Sequence, residues 1–238
     1  MSNQIIFYAL LGGIIPTIIW LWFWLKEDSL RPEPTKYLFL SFIFGMIAAA
    51  LVLPVEEIIS KILPGTGLAV IVALSFAEEI FKYGGAYFSA LKKKCLDEPV
   101  DALIYMITAA LGFAALENTL FLLQAIKTSG ADITRIVLVG NLRFIGATLL
   151  HTVSSGAIGL FIALSFYKSK TIKRLYLLIG LILSVGLHAI FNFFIIRTSG
   201  GGIFAVFALV WLTVILLIFL FEIIKRIKRK NIPKNINN

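Results

Sequence analysis

Seven long runs of apolar residues divide the chain, and each is close to the length that crosses a lipid bilayer. Of the 238 residues, 59% are hydrophobic and 15% are charged, and no stretch is polar enough for a second domain. We therefore expect an all-α polytopic transmembrane helix bundle formed by residues 1–238 as one domain, with a motif-bearing core at about 67–196 and a basic tail at about 226–238. The predicted spans are 4–25, 35–54, 67–90, 101–124, 136–166, 172–196 and 202–225.

The placement of lysine and arginine predicts the orientation of the bundle. With the C-terminus in the cytoplasm and the N-terminus outside, 16 of the 22 basic residues lie in inner loops and the tail, and 4 lie in outer loops. The net charge of +9 thus comes from clusters between apolar runs, which indicates contact with membrane lipid headgroups and excludes nucleic acid as a partner. Cys95 is the one cysteine, which excludes an internal disulfide and a cysteine-based metal site.

Seven ionisable side chains nevertheless fall inside predicted spans. Each costs roughly 2.5–3.5 kcal/mol on insertion scales, so such groups usually face the bundle interior and mark a functional site. They occupy the third to sixth spans and include both histidines of the chain: Glu78, Glu79, Lys82, Glu117, Arg143, His151 and His188.

The third span places two carboxylates beside an ammonium group. Lys82 follows Glu78 by four residues and Glu79 by three, and both separations put the lysine on the carboxylate face of a helix. A carboxylate held next to a basic group can act as a general base that activates water. The spacing does not distinguish which of the two glutamates faces the site, because adjacent residues point about 100° apart.

The fourth and sixth spans add polar pairs at a similar depth. Asn118 follows Glu117 directly, and His188 and Asn192 share one helix face. At about 1.5 Å per residue from the span ends, these groups and Glu78 lie at one level in the outer half of the membrane. A histidine and an asparagine can bind the oxyanion formed when water attacks an amide, so the pattern predicts peptide hydrolysis inside the membrane.

A second pair of glutamates precedes this region. Glu56 and Glu57 lie near Lys61, between two prolines, in a stretch that alternates polar and apolar residues. This pattern is typical of a solvated helix face, and we expect all three side chains to be exposed.

The motifs resemble those of the PrsW family, which is related to the CAAX prenyl protease and bacteriocin-processing glutamate intramembrane proteases. A His-Glu-x-x-His motif is absent. The matching elements cover spans three to six in order: Glu78-Glu79-x-x-Lys82, Phe113-x-x-x-Glu117-Asn118, the stretch around Arg143 and His151, and His188-Ala189-Ile190-Phe191-Asn192.

The resemblance implies an intramembrane endopeptidase of the bacterial cytoplasmic membrane. It assigns Glu78 or Glu79 as the base and His188 with Asn192 as the oxyanion-binding pair. It also implies a single-span substrate, such as an anti-sigma factor, cut near the outer face. Glu117 stands where the prenyl protease branch has a histidine, which argues against a CAAX substrate. The expected enzyme uses no metal; in a zinc-dependent alternative, His151 and His188 with Glu79 or Glu117 would be the ligands.

Three alternatives remain open for the buried charges. The Glu78, Glu79 and Lys82 group can be a structural ion pair, Arg143 can be a counter-charge for Glu117, and His151 can bridge two helices. The same carboxylates would also serve a proton-coupled transporter or channel, although no inverted repeat is evident in the sequence. The third alternative is a membrane scaffold without catalytic activity.

Overall fold

A computed structural model describes residues 3–28, 31–129, 138, 140–198 and 201–227. Within these residues the fold is all-α, as predicted, and contains no strand. Two π-helical segments interrupt the α-helices: Tyr87–Leu91 continues the third helix, and Arg143–Ala147 precedes the fifth. The seven α-helices are α1 (Asn3–Glu27), α2 (Thr35–Ile62), α3 (Leu68–Ala86), α4 (Asp101–Ser129), α5 (Thr148–Leu164), α6 (Lys170–Arg197) and α7 (Gly202–Ile224).

Six helical segments of the described chain are long and apolar enough to cross a membrane. The exception is α3, because Glu78, Glu79 and Lys82 all lie in its short length. The fifth predicted span, 136–166, is described as a helix from Gly140 to Leu164, and its predicted start lies outside the described residues. Arg135 and the tail beyond Ile227 lie outside them as well.

Helix α4 forms the centre of the bundle and contacts α1, α2 and α5. Small residues allow its backbone to approach that of α2, because a Cβ on Gly112 would overlap the carbonyl group of Phe42 and a Cβ on Gly45 would overlap that of Ala109. Helix α7, by contrast, exposes large apolar side chains such as Phe204, which suits a lipid environment.

A buried acidic cluster joins the loop after α1 to the start of α4. The Tyr105 hydroxyl donates a hydrogen bond to the Glu33 carboxylate. The Asp101 carboxylate accepts hydrogen bonds from the backbone N–H groups of Asp97 and Glu98, at 2.8 and 2.7 Å. Burial raises the pKa of Glu33 to about 8, and its neighbour Asp101 acts in the same direction. This end of the bundle is the predicted cytoplasmic end.

Candidate active site

A cavity of about 630 Å³ lies among helices α2 to α7. Its wall is mostly apolar and includes Phe113, Phe121, Phe191 and Phe207. Six of the nine predicted site residues also line it: Glu78, Glu117, Arg143, His151, His188 and Asn192. The structure therefore brings together side chains from four predicted spans, while Glu79, Lys82 and Asn118 lie behind this inner surface.

Glu78 is the carboxylate of α3 that faces the cavity. Its Oε2 atom lies 3.3 Å from Lys82 Nζ, 3.7 Å from His188 Nε2 and 3.9 Å from His151 Nδ1. The residue is 7% exposed, so it reaches the cavity while most of its surface is packed against protein. Glu78 thus combines access to the cavity with a surrounding set of basic groups.

Glu79 points away from the cavity and has no exposed surface. Five donors from three helices saturate its two oxygens. They are Lys82 Nζ at 2.8 Å, Ser154 Oγ at 3.0 Å, Ser155 Oγ at 2.7 Å, Ser184 Oγ at 2.9 Å and His188 Nδ1 at 2.8 Å. A carboxylate has about four lone-pair sites, so Glu79 has none left for water or substrate. Its geometry is that of a group that positions Lys82 and His188.

Glu117 contacts both Arg143 and His151. Its Oε2 atom lies 2.7 Å from Arg143 Nη2 and 2.6 Å from His151 Nε2. Eight residues separate Arg143 from His151, which would place them about 80° apart on a regular α-helix. The π-helical segment Arg143–Ala147 absorbs one residue and reduces that angle to about 20°, so both side chains reach the same carboxylate.

Asn118 supports this arrangement from behind. Its side-chain oxygen accepts a hydrogen bond from Arg143 Nε, and its amide donates to Thr148 Oγ1 at 2.9 Å. Arg143 therefore contacts two consecutive residues of α4 and also stacks over the Phe121 ring at 3.9 Å. These contacts fit the expected role of Arg143 as a counter-charge.

The two partners of His151 determine its tautomer. Lys82 Nζ lies 2.7 Å from Nδ1, and an ammonium group can only donate. The Glu117 carboxylate at Nε2 can only accept. The imidazole proton therefore resides on Nε2 and the Nδ1 lone pair accepts from Lys82, which leaves neither ring nitrogen free.

Glu78, His151 and His188 form a group that could hold a metal ion, since one ligand atom from each lies within 4.8 Å of the others. One carboxylate with two imidazoles is a donor set found in catalytic zinc sites. The fully buried Lys82 ammonium, however, takes the Nδ1 lone pair of His151 and lies beside the Glu78 carboxylate. The residues as arranged therefore do not fit a metal.

The carboxylate in this group differs from those in the alternative zinc set. That set named Glu79 or Glu117 as the third ligand, whereas the structure places Glu78 between the two histidines. Glu79 contacts His188 and Glu117 contacts His151, whereas the Oε2 atom of Glu78 lies within 4 Å of a ring nitrogen of each histidine.

Comparison with known proteins identifies the family. The PrsW family, described as "PrsW family intramembrane metalloprotease", matches residues 33–220. The chain belongs to this family. No solved structure gives a significant match.

Several curated PrsW proteins are similar over most of their length. "Protease PrsW" of Geobacillus kaustophilus (strain HTA426) is 23% identical over 199 residues, which cover 82% of this chain and 83% of that protein. The protein of that name from Clostridioides difficile (strain 630) is 26% identical over 188 residues, 76% of each chain. The one from Shouchella clausii (strain KSM-K16) is 27% identical over 190 residues, 79% of this chain and 82% of its own.

Membership of the PrsW family, together with six apolar helices, makes this chain a multi-pass bacterial membrane protein and an intramembrane peptidase acting on membrane protein substrates. The predicted resemblance to the PrsW family is confirmed. The transporter and scaffold alternatives have no comparable support.

Sequence reasoning missed three contributors to the PrsW-type site. Ser154 and Ser184 donate to Glu79, and Ser184 precedes His188 by four residues, a spacing that could have revealed it. The third is Glu56, which lines the cavity, so its predicted exposure on a solvated face is wrong. The predicted exposure is correct for Glu57 and Lys61. These two exposed side chains form an ion pair, with 2.7 Å between Glu57 Oε1 and Lys61 Nζ.

Proposed function

We propose that this PrsW-family protein hydrolyses a peptide bond of a single-span membrane protein with Glu78 as the general base. The observation that carries the proposal is the contrast between two adjacent carboxylates. Glu78 lines the cavity, whereas Glu79 is fully buried and saturated by donors. A general base must reach the proton that it abstracts, and Glu78 has that access.

In the proposed reaction, Glu78 removes a proton from a water molecule as the water oxygen bonds to the substrate carbonyl carbon. Asn192, which lines the same cavity, donates its amide N–H to the developing oxyanion, and His188 adds a second donor when Nε2 carries a proton. The carbon–nitrogen bond then breaks, and the proton held by Glu78 passes to the leaving nitrogen. The products are a carboxylic acid and an amine, which exchange a proton to give a carboxylate and an ammonium group.

We propose that Lys82 supplies the positive charge that stabilises the negative charge developing in this reaction. The ammonium group is fully buried and contacts Glu78, Glu79 and the His151 Nδ1 atom. It also lies over the Phe113 ring at 4.4 Å, so protein groups surround it. A fixed charge in such a dry site stabilises developing negative charge more strongly than it would in water.

The test is cleavage of a single-span protein by the purified enzyme in detergent. We expect the wild-type enzyme to remain active in the presence of a strong chelator. We expect Glu78→Gln to lower the cleavage rate at least about 1,000-fold, because it removes both the general base and its negative charge. Glu57→Gln is the matched control, because this exposed glutamate forms an ion pair with the exposed Lys61. Loss of activity with chelator and its return with zinc would contradict the metal-free assignment, whereas full activity of Glu78→Gln would contradict the base.

We further propose that the substrate is an anti-sigma factor and that the cut lies near the outer face. Support comes from the depth of the site, since His188 and Asn192 lie in the predicted outer half of α6, and Glu78 lies near the middle of α3 with its π-helical continuation. Co-expression with a panel of tagged anti-sigma factors, followed by mass spectrometry of the fragments, tests both points. A cut on the cytoplasmic side of the span would contradict the proposed location.

A further inference from the structure

Glu56 is an acidic residue in the catalytic cavity without a counter-ion. It is half-buried on α2 and lines the cavity beside the apolar residues Ala49, Val52 and Leu53. Within the described part of the chain, no hydrogen bond or ion pair involves its side chain. A carboxylate on an apolar wall loses hydration, so a cation that binds there is favoured.

The basic groups of the site are not available to Glu56. Arg143 lines the same cavity but contacts Glu117 and Asn118. Lys82 is fully buried and contacts the two glutamates of α3. Glu78 and Glu117 add negative charge near Glu56, and Lys82 and His188 offset part of it from positions where both contact Glu79. A cation that pairs directly with Glu56 would therefore arrive with another molecule.

The position of Glu56 relative to Glu78 indicates where such a cation would lie. Helix α2 ends at Ile62 and α3 begins at Leu68, so these two ends lie on the same side of the bundle. Glu56 is six residues from that end, about 9 Å along the axis, and Glu78 is ten residues from it, about 15 Å. The difference of roughly 6 Å corresponds to about two residues of extended chain.

We infer that Glu56 determines specificity by binding a lysine or arginine of the substrate about two residues from the scissile bond, on its outward side. This inference rests on the proposed function and assigns the chemistry of one substrate position. The substrate cation pairs with the Glu56 carboxylate on the cavity wall while the scissile carbonyl lies next to Glu78. Electrostatic pairing of this kind acts mainly on substrate recognition and on the rejection of substrates with the wrong charge.

The test uses three otherwise identical single-span substrates with Lys, Gln or Glu at that position. For the wild-type enzyme we expect kcat/KM to be roughly tenfold higher for Lys than for Gln, mainly through KM, and lowest for Glu. Glu56→Gln should remove the preference, and Glu56→Lys should reverse it in favour of Glu. The reversal is a gain of activity, which a misfolded variant cannot produce.

Glu57→Gln is the matched control and should keep the wild-type preference, because Glu57 is exposed and paired with Lys61. Binding of the same substrates to the Glu78→Gln variant, with and without a Glu56 substitution, measures recognition separately from cleavage. Equal binding and equal cleavage of the Lys and Glu substrates by the wild-type protein would overturn the inference. Charge-selective binding through Glu56 without any wild-type cleavage would support it and overturn the proposed function instead.

Discussion

Two adjacent glutamates of α3 have different surroundings, although their sequence context is nearly the same. Glu78 lines the cavity, and Glu79 accepts hydrogen bonds from three helices. Loss of activity on substitution therefore means different things at the two positions. At Glu78 it reports on the reaction, and at Glu79 it reports on the packing of the residues that surround it.

We expect Glu79→Gln to destabilise the fold more than Glu78→Gln does, because Glu79 accepts more hydrogen bonds and lies closer to Lys82. The amide of a glutamine would turn an N–H group toward donors such as Ser155 and Lys82 and leave the ammonium without its nearest charge. Breaking a buried ion pair costs roughly 3–5 kcal/mol. Thermal unfolding of both variants in detergent measures the difference, and equal melting temperatures would contradict it.

Glu33, which lies away from the cavity, predicts how the stability of the fold depends on pH. Burial raises its pKa from 4.5 to about 8, with a further contribution from the neighbouring Asp101. Because the folded-state pKa is the higher one, the stabilisation is complete below about pH 4.5 and is lost as pH rises through about 8. The melting temperature should therefore fall between about pH 5 and pH 9 in the wild-type protein and fall less in Glu33→Gln.

Other buried groups titrate in both proteins, including Asp28, whose pKa burial raises to about 6. The difference between the two melting curves consequently reports on Glu33 together with its interaction with the neighbouring Asp101. Parallel curves over the whole range would show that this residue does not carry the pH dependence.

Residue spacing predicted part of the site because contacts within one helix follow its period. The contacts of Lys82 with Glu78 and Glu79 are of this kind. Ser154 was not predictable in the same way, because serine in a membrane helix often bonds its own backbone, as Ser154 also does at the His151 carbonyl. Glu56 was assigned to a solvated face because alternation describes one helix and carries no information about the helices that pack around it.

At the scale of helices, the π-helical segment before α5 decides the geometry at Glu117. Regular helical periodicity separates Arg143 from His151, and the sequence gives no sign of the additional residue that aligns them. This is why the sequence suggested a contact between Arg143 and Glu117 but did not predict that His151 shares the same carboxylate.

Deletion of Ile145 should restore a regular helix in which seven positions separate Arg143 from His151, so both side chains should still reach Glu117. We therefore expect the cleavage rate of the deletion variant to fall by less than about tenfold. Insertion of one alanine between Ala147 and Thr148 should instead turn Arg143 by about 100° and cost roughly a hundredfold, since misplacement of site groups by about 1 Å can cost that much. An equal loss of cleavage in the two variants would contradict the alignment.

At the scale of the whole molecule, hydropathy and charge predicted the all-α bundle, because a chain in lipid must satisfy its backbone within helices. The described structure has the seven predicted helices, and α3 carries three charged side chains, Glu78, Glu79 and Lys82. Hydropathy alone would have assigned α3 less readily than the other six helices. The orientation, with the N-terminus outside, remains a prediction from the basic residues.

Cys95 offers a test of this orientation because it is the sole cysteine and follows three lysines on the predicted inner side. A membrane-impermeant maleimide should label it only after permeabilisation of the cells. A Cys95→Ala protein with Thr66→Cys, in the exposed turn between α2 and α3, should be labelled in intact cells. The opposite pattern would invert the orientation and move the site to the cytoplasmic half of the membrane.

The size of the cavity has a consequence for the conformation of the substrate. A helical turn rises about 5.4 Å and is about 10–12 Å wide with its side chains, so roughly one turn fills a volume of about 630 Å³. Within a helix, each carbonyl oxygen is already hydrogen-bonded and shielded by its neighbours, so attack on its carbon requires the turn to open. Local unwinding of the substrate would then form part of the activation barrier. A glycine that weakens the substrate helix would speed cleavage without contacting the enzyme.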